Sequence, residues 1–110
     1  MKKILALYMV PPAAMDEMTK NWTPEERKKG MDEWMAWAEQ HKEDLVELGT
    51  PVGKNKRVTK ESVLDERNEV GGYSIAQAES HEAAAKIFDD CPHLKMPGAY
   101  IEVMECMDMQ

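Results

Sequence analysis

The stretch "KILALYMV", residues 3 to 10, decides how the fold is read. It is apolar from Ile4 to Val10 without the alternation of a half-buried strand. Its β-branched and aromatic content favours a strand, and the unbroken apolar run implies that both faces are covered. Two lysines ahead of it and an alanine pair behind it imitate a secretory signal. The apolar run is short for that role, however, contains Tyr8 and stops at Pro11-Pro12. It reads as the first strand, and Pro11 to Trp22 as a loop.

Working outward, "TPEE" at 23–26 marks a helix start, with Thr23 as cap, Pro24 in the first turn and Glu26 closing a capping box. The helix is expected to run to about Leu48, with Gly49 as its stop. At about 100° per residue, Trp34, Trp37, Ala38, His41, Leu45 and Leu48 share one face. "TPVGKNKRVTKES", residues 50–62, reads as a second strand, kinked or edge-like at Pro51 and Gly53. Asp65 to Glu69 reads as a polar turn and Gly71 to Glu79 as a third strand. Ser80 caps a second helix whose stripe is Ala84, Ile87, Phe88 and Cys91, and Pro92 ends it. After a turn at Lys95 to Gly98, "AYIEVMECM" is the fourth strand.

The order is βαββαβ, an α+β ferredoxin-like domain with a four-stranded antiparallel sheet and two helices on one face. The first and fourth strands carry apolar groups on both sides. An isolated 110-residue domain would then expose a large apolar sheet face. The simplest relief is a homodimer packed sheet to sheet.

Bulk properties exclude several classes. The 110 residues make one domain, spanning 1–110. The net charge of −7 disfavours nucleic acid and anionic membrane surfaces as partners. No apolar run reaches membrane-spanning length. The basic runs "RKK" at 27–29 and "KNKR" at 54–57 read as solvated faces. Cys91 and Cys106, with no paired spacing, fit free thiols in a cytoplasmic protein.

The candidate chemistry is sparse. His41, on the apolar stripe, is either a general base at a cleft between helix and sheet or a core histidine held by one partner. Trp34 and Trp37 either wall a pocket for a small molecule or belong to the core. Tyr73 shares a strand side with Gln77 and faces a pocket or a sheet interface. Glu102, between Ile101 and Val103, is the best acid/base candidate if it points between two sheets, and otherwise a structural ion-pair partner. "FDDCPHL" at 88–94 gathers Asp89, Asp90, Cys91 and His93. Its spacing does not suit a zinc pair and no second pair completes one, so neither a metal nor a cofactor is expected. Cys91, on an apolar stripe, lacks the cationic surroundings of a nucleophile.

"GTPVGK" after a tryptophan-rich helix, "GYSIAQAES", "CPHL" and "IEVMECM" together resemble the YCII-related (DGPF-type) family, over about Lys3 to Met107. The resemblance implies a dimeric α/β barrel; most members have no established activity, and some of the broader superfamily look like enzymes with a histidine and an acid near a cleft between sheet and helices. The function expected of this chain is a small-molecule-binding module with its pocket between the first helix and the sheet. This chain departs from the enzyme-like pattern. The helix histidine of enzyme-like members falls at Trp37 or Ala38. Relatives with "HPHL" and "IEVHE" have histidines where Cys91 and Met104 stand here. The expected ligand-contacting set is therefore Trp34, Trp37, His41, Tyr73, His93 and Glu102, with Glu102 or His41 as base should the protein be an enzyme.

Overall fold

A computed structural model of the chain describes residues 1–109. Its central sheet has four strands, β1 (Lys2–Met9), β2 (Leu45–Glu47), β5 (Val70–Ala78) and β6 (Tyr100–Glu105), in the order β2-β5-β1-β6. All neighbours are antiparallel. This is the ferredoxin-like arrangement expected from the order of the elements. Strands β3 (Asn55–Val58) and β4 (Val63–Glu66) form a separate two-stranded sheet. Helices α1 (Pro12–Asn21), α2 (Pro24–Gln40) and α3 (His81–Phe88) complete the chain, with a 3-10 turn at Pro92–Lys95.

Alternation in β1 sends Ile4, Ala6 and Tyr8 to the helical side and Leu5 and Leu7 to the other. Ala76, Ala78 and Ser74 of β5 join the first set. Against them pack Trp37 and Ala38 of α2, Ala84, Ile87 and Phe88 of α3, and Cys91. Burying such side chains stabilises by about 1.5–3 kcal/mol for each large one. Small residues on β5 and β1 leave room for the aromatic layer of Tyr8, Trp34, Trp37 and Phe88, whose rings meet edge-on or tilted at 5.0–6.2 Å.

Four stretches differ from the sequence reading. Pro11 to Trp22 holds a helix rather than a loop. Pro12 occupies the first turn, where its missing N–H costs nothing, and Ala14, Met15 and Met18 form a half-buried helical stripe. Helix α2 stops at Gln40, short of Leu48. Leu45 to Glu47 gain more by pairing with β5, and the N–H of Gln77 takes the Asp44 carbonyl. Gly49 is needed, but not as a helix stop. Its φ of +80° and a would-be Cβ 1.8 Å from the Tyr73 carbonyl oxygen make it the point where two backbones touch. Residues 50–62 are likewise not one strand. Pro51 bridges Gly72, the chain leaves the sheet after Val52, and β3 pairs instead with β4. Asp65 and Glu66, expected in a turn, are therefore in β4.

Candidate functional site

The helical side of the sheet holds most of the side chains that the sequence singled out. Trp37 is buried and Trp34 half-buried, both packed in the aromatic layer rather than lining a void. The Trp37 indole N–H donates to Asp90 Oδ1 at 3.0 Å. His41, the residue after α2, donates from Nε2 to the same carboxylate at 3.2 Å and has Asp44 3.7 Å from Nδ1. Asp90 thus ties the end of α2 to the end of α3. Both contacts are remote in sequence, 53 residues to Trp37 and 49 to His41.

Beneath this layer, the Ser74 hydroxyl donates to the Leu48 carbonyl at 2.5 Å. Its single proton is then used, so Tyr8 is the donor in the 2.7 Å contact between the two hydroxyls. Burial pushes the Tyr8 phenol well above its usual range. His93 is buried beside Tyr8 and donates from Nε2 to the Met9 carbonyl at 2.8 Å. Burial pushes its imidazole below the usual value. Burial likewise pushes the Cys91 thiol up to about 12, leaving no thiolate near neutral pH.

The opposite face of the sheet is open. The register aligns Ile75, Leu5 and Met104 in one cross-strand row and Tyr73, Leu7 and Glu102 in the next. Tyr73 donates to Glu47 at 2.5 Å and Tyr100 to Glu69 at 2.7 Å, and each carboxylate raises the pKa of its phenol through that bond. Glu102 is exposed here. The sheet therefore separates Glu102 and Tyr73 from His41, Trp34, Trp37 and His93, and the six do not converge on one cavity.

A cleft of about 820 Å³ lies elsewhere, between α1, the 51–56 loop and the base of the β3–β4 hairpin. Val10, Pro12, Met15, Pro51, Val52 and Val70 form its apolar wall. Lys56 is paired with Asp65 at 2.6 Å, and Arg67 forks onto Asp16 at 2.9 and 3.0 Å. Lys54, also lining the cleft, forms no ion pair among the described residues. Its φ of +55° is unusual for a residue with a side chain. Among the described residues, no group of three or more His, Cys, Asp or Glu side chains is gathered as a metal ion would need. No helix there is long and apolar enough to cross a membrane.

A family model described as the YCII-related domain matches residues 4–110. The chain belongs to the YCII-related family. No curated protein matches it. Among solved structures, this YCII-related chain is similar to 5-chloro-2-hydroxyhydroquinone dehydrochlorinase from Burkholderia phenoliruptrix in complex with 2,5-dihydroxybenzoquinone. Identity is 16%, the TM-score is 0.51, and the match covers 91% of this chain and 90% of the other. At that identity the likeness is one of fold.

The cleft was not legible as a site. Pro51, Val52 and Lys54 read from sequence as strand, and Pro12 and Met15 as loop. The useful signal was "PPAAMDEM" at 11–18, a helix start whose apolar stripe needs a partner across the chain.

Proposed function

We propose that this YCII-related protein is a homodimeric module that binds a small anionic organic molecule in the cleft. The cleft carries the reading. Its volume lies within the roughly 300–1,000 Å³ of typical ligand sites, and an apolar wall with one uncommitted cation suits a planar acid. Lys54 supplies the charge-assisted contact, while Val10, Met15 and Val52 cover the hydrocarbon. The dimer joins the open sheet faces through the rows centred on Leu5 and Leu7.

Calorimetric titration with benzoate and with 2,5-dihydroxybenzoquinone tests this. Binding is expected with at least one probe, and Lys54→Ala weakens it about tenfold. Binding that Lys54→Ala leaves unchanged, or no binding of either probe, would count against the cleft.

The alternative is an enzyme that uses His41 as base, favoured by the Asp90 and Asp44 carboxylates that orient its ring. Glu102 cannot share a substrate atom with it across the sheet. Chloride release from a chlorinated hydroquinone that His41→Ala abolishes would favour this alternative.

A further inference from the structure

We propose that Asn68 makes the cleft select acids that carry a second hydrogen-bond acceptor beside the carboxylate, a 2-oxo acid being the simplest such ligand. The inference rests on the cleft reading above and deepens it.

The polar end of the cleft is a distinct place. A second hollow of about 240 Å³ adjoins the main one, and every residue that lines it also lines the main cleft. Lys54, Asn55 and Asn68 stand at this junction, with Val52 and Val70 beside them. A ligand whose hydrocarbon lies on Val10 and Met15 therefore meets these three polar side chains with its other end.

What the junction offers is one-sided. Asn68 Oδ1 accepts the Val70 N–H at 3.0 Å, an Asx turn that fixes which end of the amide is taken. The Asn68 NH2 group keeps both protons, with no partner among the described residues. The Lys54 ammonium is likewise a donor and never an acceptor. The acidic acceptors, by contrast, are spent. Asp65 is held by Lys56 at 2.6 Å, Glu66 by Arg57 at 2.7 Å and Glu69 by the Tyr100 hydroxyl at 2.7 Å. Asn55 can turn either end of its amide to a ligand and so expresses no preference.

A lone carboxylate satisfies Lys54 and leaves the Asn68 donors to water. A carbonyl on the next carbon supplies them with an acceptor, within the span of one small head group. It also brings no proton of its own, which suits a site whose carboxylates are already engaged.

Calorimetric titration with phenylglyoxylate and phenylacetate tests this. The two share a ring and a carboxylate, differ by a carbonyl in place of a methylene, and are both ionised near neutral pH. Wild type is expected to bind phenylglyoxylate about fivefold to tenfold more tightly, the worth of one further hydrogen bond. Asn68→Asp keeps an acceptor for the Val70 N–H and removes the donors. Its added charge weakens both acids alike, so the comparison between them is the readout, and the preference should vanish. Asn68→Ala, which adds no charge, should lose the preference too. Wild type without a preference for phenylglyoxylate, or a preference that Asn68→Ala retains, would overturn the inference and leave the cleft as a site for acids in general. No binding of either acid to wild type would overturn the cleft reading and the inference with it.

Discussion

Ser74 shows how one buried polar residue is accommodated under an aromatic layer. It receives the Tyr8 hydroxyl and donates to the Leu48 carbonyl, so both hydroxyls and that carbonyl have partners. Ser74→Ala strands two such groups and should cost about 1–3 kcal/mol in chemical denaturation. Tyr8→Phe removes only the outer donor and should cost about 1 kcal/mol. His93 adds a pH dependence. Its pKa in the fold lies below the 6.5 of the unfolded chain, because burial disfavours the imidazolium. Below 6.5 the unfolded state therefore binds the extra proton, and stability falls as pH drops through that value toward the folded pKa. The loss of Tm between pH 7.5 and 5.5 should be smaller in His93→Gln, which keeps a donor for the Met9 carbonyl. These contacts were only partly legible. A stripe at helical spacing identifies Trp37 and Cys91 as core. Nothing local in "FDDCPHL" says that Asp90 will meet an indole and an imidazole from another helix.

At the scale of elements, capping and breaking residues were informative and pairing partners were not. Thr23 and Ser80 accept the N–H of Glu26 and Ala83, as their positions suggested, and Ser80→Ala should cost about 1 kcal/mol. The Glu26 carboxylate meets the Thr23 hydroxyl rather than its N–H, so the capping box is incomplete. Leu45 and Leu48 fit a helical stripe and a short strand equally well, and pairing with β5 decides between them. Gly49→Ala tests that junction. A methyl group there meets the Tyr73 carbonyl and requires a disfavoured φ, so β2 must shift from the sheet. The expected loss is about 2 kcal/mol or more in urea denaturation, with no change in α3. The hairpin was hidden for a similar reason. "KNKRVTKESVLDE" has few apolar residues, and its two strands stabilise each other without joining the main sheet.

The whole molecule is a slab with one finished side. Helices cover Ile4, Ala6 and Tyr8, whereas Leu5, Leu7, Ile75 and Met104 are left on a face that no element among the described residues covers. That second apolar face was legible in "KILALYMV" before any coordinates, because a strand with a solvated side alternates and this one does not. What covers the face was not legible, since a single chain carries no record of its neighbour. The homodimer proposed here buries both rows, places Glu102 and Tyr73 between two sheets, and leaves both clefts at the periphery. Light scattering coupled to size exclusion at micromolar concentration tests it most directly. The account predicts twice the 12.6 kDa mass of the chain for wild type and the single-chain mass for Leu7→Arg. A wild-type mass of 12.6 kDa would contradict it.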